Sequence, residues 1–180
     1  MLTITVPEKN LFIAATDEFV HIDATKLQLE HSLISISKWE QTWNKPFLNS
    51  NNKSVEETLD YIRCMTITQN VNPLVYHCLT AENISLVDKY INSPMTATTI
   101  SNQKKEQGGR TIVTNELVYH WMIDLGIPVE FEKWHFNRLM TLIQVRALKT
   151  QPQKKMSRKE VMSKYAAVNA ARRKKHNSKG

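Results

Sequence analysis

Six histidines, two cysteines and one close group of acids are the side chains of this sequence with the chemistry to hold a metal or move a proton. Cys64, His77 and Cys78 come nearest to a ligand set, but their spacing matches no common zinc pattern. Glu56, Glu57 and Asp60 fall in the first turns of a helix, where carboxylates complement the N-terminal dipole; an acid–base pair is the lesser reading. His120 and His135 lie on two consecutive helices that could bring them face to face as base or ligand. Neither has a second histidine at i+3 or i+4, so a hydrogen-bonded interior histidine is the better reading. G-x-S-x-G, P-loop and G-x-G-x-x-G signatures are all missing, and four glycines are few for any phosphate cradle. The residue chemistry argues against an enzyme and implies no cofactor and no metal.

Binding chemistry is more prominent. The chain of 180 residues carries a formal charge of +7, unevenly spread. From Lys149 to Gly180 there are eleven Lys/Arg against the single acid Glu160; the remainder holds 13 basic against 16 acidic residues. A basic tail therefore follows a mildly acidic body. The tail has one aromatic, Tyr165, which makes a poor stacking platform for single-stranded nucleic acid. Val161, Tyr165 and Val168 recur at i, i+4 and i+7 ahead of Arg172 and Arg173, a pattern suited to docking on an acidic protein surface. Nucleic acid is the second reading, since the same cations could neutralise phosphates. Four tryptophans are many for this size. Core packing accounts for most of them, and among Trp39, Trp43 and Trp134 one or two are candidate anchors on a protein-binding face.

The N-terminus, Met1 to Pro7, lacks the basic region and apolar core of a signal peptide. The longest apolar run, Leu11 to Ala15, is five residues, against about 20 for a membrane span. A soluble cytoplasmic protein with no membrane partner is the expectation, with Cys64 and Cys78 reduced and buried.

The elements that would position these residues read as α+β, mainly helical. Leu2, Ile4 and Val6 alternate with threonines, a half-buried strand ended by Pro7. Residues 19–22 and 27–31 flank a hairpin loop at 23–26, although a helix through Leu29, Leu33 and Ile36 competes for the second segment. This gives an N-terminal β element over 1–36 and a helical body over 37–148. Capping boxes at Ser37–Glu40 and Ser54–Glu57 each open a helix, the second with Val55, Leu59, Ile62, Cys64 and Met65 as its apolar stripe. Pro73 starts another helix, and Thr80 caps the next, with Ile84, Val87 and Ile91 inward. Residues 95–113 read as a β-hairpin, or a flexible loop, around the polar tip Asn102–Gly109. Two antiparallel helices joined at Gly126-Ile127-Pro128 follow, the second running from about Glu130 to Leu148 with Trp134, Arg138, Leu142 and Val145 on one face and Leu139 and Ile143 beside them. Residues 149–180 form a linker and a basic C-terminal helix opened by Ser157–Glu160.

Several strings carry a family resemblance: His31 to Glu40, Ser93-Pro94-Met95-Thr96-Ala97-Thr98-Thr99, Trp134-His135-Phe136-Asn137-Arg138-Leu139, and the ending Asn169 to Lys175. Together they resemble the tail assembly chaperones encoded in the tail-gene clusters of double-stranded DNA bacteriophages, over most of the chain from about Leu27. The resemblance implies a non-enzymatic morphogenesis factor that coats the tape-measure protein and leaves as tail-tube subunits polymerise. It supplies no catalytic residues. It also implies a place in the cytoplasm of an infected bacterium; many such chaperones are made in two lengths by ribosomal frameshifting, and self-association is a further partner reading for this chain. A minor tail or baseplate subunit of the virion is the alternative within the same setting. Residues 1–26 lie outside the resemblance.

Overall fold

The computed structural model describes residues 1–13, 17–50, 52–100, 112–150 and 158–176. The architecture is α+β and mainly helical. It divides into a body, Met1–Leu148, and a separate unit, Lys149–Gly180.

Strand β1 (Leu2–Val6) buries Ile4 and Val6 and exposes the threonines, as alternation requires. The pairing that follows differs from the expected hairpin. Strands β2 (Lys9–Ile13) and β3 (Glu18–Ile22) pair with each other, while β4 (Thr25–Leu29) pairs antiparallel with β1. Partner numbers add to 31 in both pairs, from Leu2 with Leu29 to Ile13 with Glu18. The N-terminus is thus one long antiparallel ribbon whose ladder breaks at Pro7 and Glu8. Proline has no N–H to donate, so a break there is the expected cost.

The β element stops short of residue 36. Strand β4 ends at Leu29, and α1 (Leu33–Trp43) starts behind Ser32, which forms a reciprocal capping box with Ser35. The expected box at Ser37–Glu40 therefore does not form: both residues lie inside the helix. Glu40 is committed elsewhere, as described below.

Helix α2 (Val55–Met65) opens on the Ser54–Glu57 box. Its inward residues are Glu57, Tyr61, Ile62, Cys64 and Met65, whereas Val55 is 74% exposed. Pro73 begins a 3₁₀ turn, Pro73–Cys78, rather than an α-helix. Thr80 caps α3 (Ala81–Asn92), which buries Asn83, Val87 and Tyr90 and leaves Ile84 on the surface. Residues 95–100 and 112–113 contain no strand, so the hairpin is absent among the described residues, and its tip lies outside them.

Helix α4 (Asn115–Asp124) ends in a complete Schellman motif. The Ile127 N–H donates to the Met122 carbonyl (2.8 Å) and the Gly126 N–H to that of Ile123 (3.1 Å), with Gly126 at φ +60°. A Cβ at Gly126 would meet nothing nearer than the Arg146 side chain at 3.8 Å. Backbone strain is then the whole penalty, and Gly126→Ala should lower unfolding free energy by about 1 kcal/mol in urea titration.

The final body helix, α5 (Phe136–Thr150), starts later than the sequence pattern suggests, after a 3₁₀ turn at Val129–Lys133. Trp134 is extended, His135 forms a β-bridge with Ser32, and the Phe136 N–H donates to the His31 carbonyl at 2.7 Å. That tie to the start of α1 holds the backbone out of helix. The buried face of α5 is Phe136, Leu139 and Ile143, the residues beside the Trp134, Arg138, Leu142 and Val145 row. Helix α4 packs chiefly on α1 and the 129–133 turn, not as an antiparallel pair with α5. Trp39, Leu27, Leu29, Leu33, Ile36, Met65, Val118, Met122 and Leu139 form the fully buried centre.

Candidate functional site

Helix α1 places Trp39 and Trp43 one turn apart, with ring centroids 6.2 Å apart, and their fates differ. Trp39 is fully buried, its Nε1 donating to the Glu57 carbonyl at 2.9 Å. It is a core residue and offers nothing to a partner. Trp43 is half-buried and donates Nε1 to Asp60 Oδ2 (2.9 Å), with the Lys45 ammonium 5.8 Å from its ring. With Leu59, Pro73 and Tyr76 it lines a surface groove of about 320 Å³. Trp134 is also spoken for: Phe131 stacks on its ring at 4.2 Å and the Arg138 guanidinium sits over it at 4.0 Å.

The acids on α2 are structural. Glu57 accepts the Ser54 N–H (2.7 Å) and pairs with Lys45 (2.5 Å), and these contacts hold its carboxyl below the usual range. Asp60 accepts from Trp43 and, at 2.7 Å, from Arg63 Nε. The Cys64 thiol is pushed up to about 11 by burial and the neighbouring Asp60. Cys64 and Cys78 are buried and free. Among the described residues no three His, Cys, Asp or Glu side chains are grouped to hold a metal ion.

His135 does not face His120, which is exposed; its neighbour is His31, at a ring separation of 5.1 Å. Both are buried where α1 and α5 begin. His31 Nδ1 bonds the Tyr61 hydroxyl at 2.5 Å, and His135 Nε2 lies 3.1 Å from the Tyr90 carbonyl, while the Tyr90 hydroxyl donates to Glu30 (2.6 Å). Burial, reinforced by His135, pushes the His31 imidazole down to about 3, and burial lowers His135 too. Both shifts favour the neutral imidazole, and His31, without His135, lines a cleft of about 490 Å³ between α2, α3 and the start of α5. His31 opens one of the strings that carry the resemblance, but no spacing marks it as a ligand or base. Its only other signal is a position between the end of a strand and a helix N-cap.

The second unit is α6 (Arg158–His176). All its described side chains, those of Arg158 and of residues 162–176, are exposed. Met162 and Tyr165 are each 66% exposed and Val168 41%, with Arg172, Arg173, Lys174 and Lys175 following. Val161 lies on the same helix one turn before Tyr165. The cations at its end complement the carbonyl end of the helix dipole. No helix among the described residues is long and apolar enough to cross a membrane. No family model, curated protein or solved structure matches the chain, so the resemblance to tail assembly chaperones rests on the sequence strings alone.

Proposed function

We propose that this protein is a non-enzymatic assembly factor of a bacteriophage tail, acting in the host cytoplasm by binding the tape-measure protein through α6. The observation that carries the reading is the stripe Met162, Tyr165 and Val168, left in solvent beside a four-residue basic cluster. An apolar stripe on a helix is stable in water only at a cost, and an apolar groove on a helical partner removes that cost. The Trp43 groove supplies a second surface of similar character. The family resemblance supplies the partner's identity.

Co-expression with the adjacent tape-measure product should raise the soluble fraction of the latter and allow the two to co-purify. Burying Tyr165 and Val168 is worth roughly 1–2 kcal/mol each. Tyr165→Ser with Val168→Ser should therefore weaken capture more than Arg172→Ser with Arg173→Ser, and moderate salt should matter little. Dominance of the arginine changes, with log affinity falling linearly in log salt, would establish the nucleic-acid reading instead. Stoichiometric protein in purified virions by mass spectrometry would assign it as a structural subunit.

A further inference from the structure

Every strand of the N-terminal ribbon turns one edge away from its partner, and three of the four strands meet a further element of the body. Along β4, the Ile67 N–H donates to the Gln28 carbonyl (2.8 Å) and the Gln28 N–H to Thr68 Oγ1 (2.9 Å). Strand β1 lies under α3, whose Asn83 Nδ2 donates to the Thr5 carbonyl at 3.2 Å. Strand β3 rests against the 3₁₀ turn Pro73–Cys78. Among the described residues, β2 has its extensive contact with β3 alone, and no backbone hydrogen bond reaches its outer edge from another element. Its own side chains, Lys9-Asn10-Leu11-Phe12-Ile13, include one charge, at the end. Beside it Phe12 and Phe19 stand in solvent as a cross-strand pair, 53% and 74% exposed with rings 5.2 Å apart. A bare, nearly uncharged strand edge is a template for another strand.

We propose that β2 pairs antiparallel with β2 of a second copy of this chain, about a two-fold axis at Leu11. The charges select this occupant and this register. Centring on Leu11 sets Lys9 opposite Ile13 of the second copy and Asn10 opposite its Phe12. Ile13 is already paired with Glu18. Lys9 of one copy thus enters the same cross-sheet row as Glu18 of the other, on the same face and two strands away, about 10 Å and within the joint reach of the side chains. Symmetry makes the contact twice. In one chain the two residues sit at opposite ends of the β2–β3 ladder, and neither has an ion-pair partner among the described residues. A parallel register would instead set Lys9 beside Lys9. The contact is isologous and closed, so it yields a dimer and not a filament. It is independent of the role given to α6.

Sedimentation equilibrium on the full-length protein over a wide concentration range tests this with a charge swap at two exposed positions. Asn10→Lys with Phe12→Lys sets lysine against lysine twice across the axis and should raise the dissociation constant at least tenfold, by roughly the effect of two like-charge cross-strand pairs. Asn10→Lys with Phe12→Glu sets opposite charges together and should dimerise at least as well as the wild type. Should the first variant lose its fold by circular dichroism, Lys9→Glu alone should weaken the dimer and Lys9→Glu with Glu18→Lys should restore it. A wild type that stays monomeric throughout, or charge variants that associate equally well, would overturn the proposal. Equal association would place self-contact on another surface.

Discussion

Lowering the pH from 7 to 5 will destabilise the protein steeply, and the buried histidine pair will carry the loss. In the unfolded chain an imidazole titrates near 6.5; in the fold His31 is held down to about 3 and His135 is lowered as well. Below 6.5 the unfolded state therefore takes up protons that the folded state refuses. The stabilisation is full above the unfolded value and drains away as the pH falls toward the folded one. His31 contributes a slope of up to about 1.4 kcal/mol per pH unit, and across its whole window about 4–5 kcal/mol, while His135 acts in the same direction. Around His135 the Tyr90 carbonyl and the Glu30 charge oppose the shift, but burial outweighs them. Tyr61 and Tyr90 are themselves pushed upward by burial and remain neutral, and Glu30 is engaged by the Tyr90 hydroxyl. Urea unfolding at pH 7, 6 and 5 checks the expectation in a range above most carboxylate titration. His31→Gln keeps a hydrogen-bonding partner for Tyr61 and should lose most of the slope. A wild-type unfolding free energy that stays level from pH 7 to 5 would contradict the buried, neutral assignment.

Glu40→Ala will be the most damaging single substitution outside the apolar centre, at about 3–5 kcal/mol. The carboxylate is buried between the loop after α1 and the start of α4, which are otherwise joined by the Val113 N–H donating to Asn49 Oδ1 at 2.8 Å. Oε1 accepts the Phe47 N–H at 2.7 Å and so fixes the loop after α1. Oε2 accepts the Asn115 N–H at 2.8 Å and its Nδ2 at 2.5 Å. Thr114, the N-cap of α4, makes no side-chain capping bond, so Glu40 caps that helix from a distance. Alanine leaves buried donors at Phe47 and Asn115 unpaired. Glu40→Gln keeps one acceptor oxygen and brings an amide against a donor, and should cost about 1–3 kcal/mol. Chemical denaturation of both variants at pH 7 measures the difference. Equal stability of wild type and Glu40→Ala would mean that neither segment depends on the clamp.

The features legible in the sequence are those whose partners lie within a few residues. The Ser54–Glu57 box, the Thr80 cap, the Gly126 turn and the alternation of β1 all form where local chemistry points, because each hydrogen bond or periodicity closes inside one turn or strand. Composition alone also separates a basic final helix from a near-neutral body, since charge patterning does not depend on packing. Even among local signals, competition misleads. Ser32–Ser35 and Ser37–Glu40 both have capping spacing, and the end of β4 at Leu29 admits the earlier one.

The tertiary structure decided everything that depends on distant partners. Alternation identifies β1 as a strand but cannot say that it pairs with β4. Helical spacing cannot distinguish Trp39, sealed in the core, from Trp43, left at a groove, because the two residues lie on one face of one helix and differ only in what α2 lays over them. The pattern around His135 is helical, but its backbone belongs to a bridge with Ser32. Glu40 has the local spacing of a cap and serves as one for a helix 75 residues away. The physical reason is common to these cases: burial and long-range hydrogen bonds are properties of the folded arrangement, and one-dimensional spacing reports only the preferences that the arrangement then accepts or overrides.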